Sequence, residues 1–272
     1  MAIATYADYK ADKNQTVEVF NATSVTSIAS AMFSCWNGTL AGANTANGVV
    51  PTDSDTGFPD YGPRLDTFGA GAKGYLTRAV FVNQGANSSN GLGILFDMVF
   101  KAGAYAFNAN TTLASQPSYA ARMPGGTDYS DTELWFECVT AFTGNLTLTV
   151  TYTNQAGVAG RTTGSFAPGV APTVRRCFRL PLQAGDTGIQ RVDSVVSTVA
   201  TVGTFNILVL RRLGMGRVLS VTQDVRTPNV NGADVLMTGM QEVFDTSCFT
   251  VIQLCDGTTT GQPYYLAELT SG

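Results

Sequence analysis

Between residues 131 and 166 the chain alternates apolar and polar positions with the period of a β-strand. Leu146, Leu148, Val150 and Tyr152 fall on one face, and Thr147, Thr149 and Thr151 fall on the other. Period-two alternation in β-branched and aromatic residues predicts a strand with one dry face. The apolar run from Asp131 to Phe142 predicts a strand before it. Thr-Asn-Gln-Ala-Gly, from Thr153 to Gly157, supplies turn chemistry, with Gly157 free to take positive φ, ahead of a return leg to Phe166. A dry sheet face needs a second layer over it, so the middle of the chain is predicted to be a layered β structure.

The pattern extends in both directions. Tyr75 to Val82 predicts a strand. Leu92, Ile94, Phe96, Met98 and Phe100 alternate with Leu95 and Val99, which predicts a strand buried on both sides. Val174 to Leu182, Ile189 to Val199 and Thr204 to Leu213 predict three more, separated by Gln-Ala-Gly-Asp-Thr-Gly and Ala-Thr-Val-Gly. Beyond Gly214-Met215-Gly216 come Arg217 to Val225, Ala233 to Met237 and Cys248 to Leu254, with Tyr264 to Leu269 as a final edge strand. Many strands at hairpin spacing predict an all-β fold, an antiparallel β-sandwich of jelly-roll type.

The first 74 residues read differently. Thr16 to Phe20 suits a short strand. Ser24 or Thr26 suits the cap of one short helix running to about Trp36, with Ile28, Met32 and Cys35 or Trp36 on one face and Gly38 as its stop. Residues 37–74 are rich in Gly, Asn, Thr, Asp and Pro and predict a long loop. The expected organisation is an N-terminal arm with helix and long loop over 1–74, then a β-sandwich domain with its C-terminal strands over 75–272.

Composition sharpens this picture. Hydrophobic residues make up 44% of the 272, which excludes a disordered chain. Charged residues make up only 13%, about half the usual share, which fits either a surface covered by other subunits or simply a β protein rich in Thr, Ser, Ala and Gly. The charge is segmented: net −5 over residues 1–137, +6 over 138–232 and −5 over 233–272. The basic segment uses arginine alone, and Arg175, Arg176, Arg179, Arg211 and Arg212 are the candidate subunit contacts, facing acidic partners. Alternation puts Arg175 and Arg179 on one strand face with Cys177 and Arg176 on the other. These arginines are spread along strands and not clustered with aromatics, so direct nucleic-acid binding is not expected.

Candidate chemistry is sparse. The chain has no histidine, which removes Ser-His-Asp and Cys-His catalysis and most zinc sites. Glu133 and Glu137 share one face of a strand at ~13 Å from strand rise, too far for a glycosidase pair. Gly69-Ala70-Gly71-Ala72-Lys73-Gly74 lacks the Ser or Thr and the strand–loop–helix setting of a phosphate loop. Asp53 to Asp60 has alternating oxygen ligands but carries Gly57 where a calcium loop needs Asp or Asn, and no closing Glu, so it reads as a polar turn. Trp36, Trp135, Tyr264 and Tyr265 are the aromatic candidates for a sugar-stacking platform. Trp135 lies among apolar neighbours, however, and adjacent tyrosines in a strand point to opposite faces. Five cysteines without a CxxC pair imply no disulfide framework, and Cys138 and Cys177 read as buried small hydrophobes. The N-terminus lacks a signal-peptide layout, and no run nears the roughly 18 apolar residues of a membrane span. No catalytic residue, cofactor, metal or membrane partner is expected.

Two blocks carry a resemblance. One is the hairpin Leu-Thr-Leu-Thr-Val-Thr-Tyr-Thr-Asn-Gln-Ala-Gly-x-Ala-Gly-Arg-Thr-Thr, from Leu146 to Thr163. The other is Leu-Pro-Leu-Gln-Ala-Gly-Asp-Thr-Gly-Ile-Gln-x-Val, from Leu180 to Val192, followed by the Phe-Asn-Ile-Leu-Val-Leu-Arg-Arg-Leu strand. Over roughly residues 130–213 the chain resembles structural proteins of tailed-bacteriophage particles, in texture and not through a diagnostic motif. The resemblance implies a non-enzymatic virion protein made in the host bacterial cytoplasm, a capsid decoration or cement protein or another head-associated component. The alternative it implies is a neck or tail-fibre component, including a receptor- or glycan-binding module. Implied partners are other virion proteins (major capsid or neck and tail proteins) and copies of the chain itself.

Overall fold

The computed structural model describes residues 16–22, 25–35, 40–41, 73–85, 91–113, 116, 118–199, 201–220, 232–233, 240–244, 247–258 and 260–271. Their strands, in chain order, are β1 (Thr16–Ala22), β2 (Val25–Thr26), β3 (Met32–Ser34), β4 (Leu40–Ala41), β5 (Lys73–Gly85), β6 (Gly91–Ala106), β7 (Thr111–Thr112) and β8 (Thr132–Thr140). There follow β9 (Leu148–Asn154), β10 (Arg161–Thr162), β11 (Cys177–Arg179), β12 (Ile189–Ser197), β13 (Thr204–Ser220), β14 (Gly232–Ala233), β15 (Glu242–Phe244), β16 (Phe249–Cys255) and β17 (Thr260–Ser271). Two short 3-10 turns, Ala120–Arg122 and Pro124–Gly126, precede β8. The fold is all-β, and the chain divides into two compact units. One comprises Gly48–Phe58 and Met98–Arg212, and the other comprises Met1–Asn47, Pro59–Asp97 and Leu213–Gly272.

The first of these is a sandwich of two four-stranded sheets. One sheet runs β6-β13-β8-β11 and the other β7-β12-β9-β10. Eight consecutive strands therefore alternate between layers except at the β9–β10 hairpin, which stays in one sheet, with the first beside the last, which is the strand order of a jelly roll. Period-two alternation explains the layers. Leu148, Val150 and Tyr152 of β9 face Leu134, Phe136 and Cys138 of β8 and Phe205, Ile207 and Val209 of β13 in one core, each at most 1% exposed. Phe136 and Phe205 stack with ring centroids 5.2 Å apart. Strand β12 reaches the same core differently. Register shifts between Ile189 and Arg191 and between Val192 and Ser194 let Ile189, Val192 and Val195, three apart in sequence, all point inward. Gly157 takes φ 79° in the β9–β10 turn, as its place in the sequence requires.

In the other unit β5 is the hub. It pairs antiparallel with β17, β14 and β15 and parallel with β13, where Leu219 meets Val82. Phe33, Leu76, Phe81, Leu95, Phe249 and Leu269 belong to its core. Asp97 is fully buried and accepts hydrogen bonds from Ser247 Oγ (2.9 Å) and the Cys248 amide (3.0 Å), holding the turn into β16.

Four local expectations are corrected. No helix forms over the described part of residues 24–36. Ala31, Phe33, Ser34 and Cys35 are all buried, and β3 pairs with β16, because an extended chain buries Phe33 whereas the Ile28–Met32 helix face would leave it aside. Gly214-Met215-Gly216 does not break the chain, and β13 runs straight through it, since neither glycine adopts the left-handed conformation that a turn would use. Tyr264 to Leu269 is not an edge strand, because β17 lies between β5 and β1. The strand over Val174 to Leu182 shrinks to Cys177–Arg179. Just before it, Arg175 takes φ 72° and two residues oppose Cys138: the Arg175 amide donates to the Cys138 carbonyl, and the Cys138 amide to the Arg176 carbonyl.

Replacing Leu148 by Ala should destabilise the jelly-roll unit by about 3 kcal/mol through lost burial and a cavity. Replacing its neighbour Thr149, on the other face, should change stability by no more than about 0.5 kcal/mol. Denaturant unfolding of the two variants measures this, and equal losses would contradict the facing assigned to β9.

Candidate functional site

Strand β8 is buried on both faces. Its even-numbered residues enter the sandwich core, and Glu133, Trp135 and Glu137 occupy the reverse face with little or no exposure. A carboxylate in such a place is strongly disfavoured unless cations and donors surround it. The neighbouring strands supply them, because antiparallel register puts same-face residues side by side. Leu210 of β13 lies opposite Glu133, Asn206 of β13 and Cys177 of β11 lie opposite Glu137, and Arg179 of β11 lies opposite Trp135.

Glu133 is the hub of this face. Arg212 Nη2 meets its Oε1 at 2.7 Å, Arg179 Nε meets its Oε2 at 3.3 Å, and Trp135 Nε1 donates to Oε2 at 2.9 Å. Glu137 accepts from Asn206 Nδ2 at 2.7 Å and pairs with Lys101 Nζ at 3.3 Å. Glu133 and Glu137 are thus tied separately, the first to two arginines and the second to Lys101, and are not presented as a catalytic pair. The Cys138 thiol beside them is pushed up to about 12 by burial, with the Glu137 charge adding to it, so it stays protonated and poorly nucleophilic. Cys177 is buried as well, as its strand position implies.

The five candidate arginines do not form one surface. Arg179 and Arg212 converge on Glu133, with side chains 58% and 35% exposed. Arg211 points the other way along β13 and is 2% exposed. Arg175 and Arg176 sit half-buried in the loop before β11, where Arg176 lies over the Phe178 ring at 5.2 Å. Sequence alternation grouped Arg175 with Arg179 and set Arg176 apart, whereas Arg175 and Arg176 both lie ahead of the strand. It gave no sign that Glu133 is the shared counter-charge, which only cross-strand register reveals.

A second ionic cluster clips the β9–β10 hairpin to the loop before β12. Asp186 Oδ2 accepts from Tyr152 OH (2.7 Å) and Arg161 Nε (2.9 Å), and its Oδ1 accepts from Asn154 Nδ2 (2.7 Å). The Tyr152 hydroxyl also accepts from the Gln183 amide at 2.7 Å. The Arg161 hydrogen bond, helped by Asn154 and Tyr152, holds the Asp186 carboxyl down at about 2 against the pull of desolvation. Burial, with the bond to Asp186, pushes the Tyr152 phenol up to about 12.

Trp135 belongs to the buried ionic face and not to an exposed aromatic platform. Trp36, the loop over Asp53 to Asp60 and residues 69–72 lie outside the described residues, as do the side chains of Tyr264 and Tyr265. Among the described residues no three His, Cys, Asp or Glu side chains are grouped as a metal site would need. No helix among them is long and apolar enough to cross a membrane.

No protein-family model matches the sequence, and neither does any curated protein. Among solved structures, the VP2 subviral particle of infectious bursal disease virus aligns over 96% of this chain and 82% of its own, at 9% identity and a TM-score of 0.22. The Gx strain of the same virus aligns over 95% of this chain and 81% of its own, at 8% identity and a TM-score of 0.19. Such scores do not establish a common fold, and the jelly-roll assignment rests on strand order alone.

Glu133→Ala should cost about 3 kcal/mol, because it strips two guanidinium groups and a buried indole N–H of their acceptor. Arg179→Ala, at the exposed side of the same pair, should cost less than about 1 kcal/mol. Equal costs in denaturant unfolding would contradict Glu133 as the hub. The Asp186 clip has a pH signature. Its folded carboxyl titrates below the ordinary value of 3.8, so its stabilisation is fully present above that value and is lost as pH falls from about 4 towards 2. Acid unfolding of Asp186→Asn should lack that component, and an unchanged acid limb relative to the parent chain would remove the clip from the account.

Proposed function

We propose that the chain is a non-enzymatic structural protein of a bacteriophage particle, a capsid decoration, cement or other head-associated protein that acts by subunit packing. The observation that carries this reading is the use made of ionic groups. Glu133, Glu137 and Asp186 are each saturated by donors of the same unit, so the charges brace a sheet instead of facing a cleft. Two further features support it. Jelly rolls recur in capsid domains, though also in lectins and cupins, so the strand order is an analogy and not a function. The Leu146–Thr163 and Leu180–Val192 blocks add the resemblance to tailed-phage virion proteins.

In this reading the protein is made in the host cytoplasm and resides in the virion, packed against major capsid or neck and tail proteins and against copies of itself. Arg175, Arg176 and Arg179 meet acidic partners directly. Arg212 contributes through the Glu133 hub, whereas Arg211, 2% exposed, is too deeply buried to be a subunit contact.

Size-exclusion chromatography with light scattering, at low and high salt, tests the reading. The purified chain should associate at low salt and shift to smaller species at high salt, since contacts between charged subunits are screened. A chain that stays monomeric throughout and binds no virion component would overturn it.

A further inference from the structure

The two ends of the jelly roll differ in chemistry. At one end the loops 107–110, 141–147, 167–176 and 198–203 are tied together by backbone bonds: Phe107 N to Gly203 O, Phe142 N to Pro172 O, Thr143 N to Val202 O and Thr198 N to Thr147 O. These loops contain two arginines, Arg175 and Arg176, and no Asp or Glu. They also carry Val170, Val174, Val199 and Val202, which are between 39% and 67% exposed. At the opposite end, residues 118–131, 155–160 and 181–188 meet around Gly188, whose carbonyl accepts from the Gln155 amide and whose Cα side abuts the Tyr129 carbonyl. There Asp128 and Asp131 are exposed, Arg122 is buried, Asp186 is matched by Arg161, and Val158 is 51% exposed.

We infer that the valine-and-arginine end docks on the aspartate end of the same unit in a second copy of the chain. This rests on the assembly reading above and names its partner and contact. Complementary charge selects the pairing. Two valine-bearing ends brought together would oppose four guanidinium groups, and two aspartate ends four carboxylates, whereas end on opposite end matches cation to anion. Exposed valines in the centre with charges beside them follow the anatomy of a protein contact, an apolar middle and a polar rim. Arg175 adds an independent sign. It holds φ 72°, which glycine would adopt without strain, and such local cost concentrates at binding surfaces. A contact between unlike ends is heterologous, so it propagates into a ring or a row of subunits and does not stop at a two-fold dimer.

The test uses the full chain, with association followed by analytical ultracentrifugation across concentration and folding checked by circular dichroism. Val202→Asp, Arg175→Asp and Asp131→Arg should each weaken association by about tenfold or more while leaving the spectrum unchanged. Mixing Arg175→Asp with Asp131→Arg chains should restore association, because every contact between the two kinds of chain again pairs opposite charges. Variants that associate like the parent chain would overturn the end-to-end contact while leaving assembly standing, and so would a mixture that stays dissociated. A parent chain that never associates would sink both.

Discussion

The reverse face of β8 sets the terms for the rest of the jelly-roll unit. A strand with a dry core on one side and burial on the other has no solvent to offer Glu133 and Glu137. Two carboxylates at 2% to 7% exposure must be met by protein groups, and the other three strands of the sheet all contribute: Lys101 from β6, Arg179 from β11, Asn206 and Arg212 from β13. Such buried ion pairs add little net stability over an apolar replacement, since desolvation offsets most of the attraction. They do penalise any wrong arrangement heavily, because a slip of one residue would send both carboxylates into the apolar core. The ionic face therefore fixes the register of four strands, and the apolar face supplies the driving force that binds the layers.

The same use of charge recurs among the described residues. Glu133, Glu137 and Asp186 each brace a junction between strands or between a hairpin and a loop. Among the described residues, the loops of the jelly-roll unit carry exposed valines beside arginines at one end and aspartates at the other. The proposed function as a packing unit rests on this placement of apolar and ionic groups.

Much of the architecture was legible in the sequence wherever a strand has one dry face. Leu146, Leu148, Val150 and Tyr152 announced their layer, and Gly157 its turn. The doubly apolar run at 92–100 announced a strand buried on both sides. Legibility failed where register or tertiary pairing decides. The bulges of β12 disguise its period by spacing inward residues three apart. The stretch 24–36 offered a helical face at Ile28 and Met32, but the sheet claimed Phe33 and Cys35. Gly214 and Gly216 signalled a break that an already extended strand had no need to make. The site was less readable still. Five arginines could be identified as contact candidates, but their division into two at Glu133, one buried and two on a loop depends on strand neighbours far apart in sequence.

The central claim is that this chain is a packing unit whose loops and partly exposed arginines are covered by neighbouring subunits. A cryo-electron microscopy map of the assembled particle tests it most directly. The account predicts density from adjacent subunits over Val170, Val174, Val199 and Val202 and beside Arg175, Arg176 and Arg179. A map in which these residues face bulk solvent, with the chain absent from the particle shell and its attachments, would contradict it.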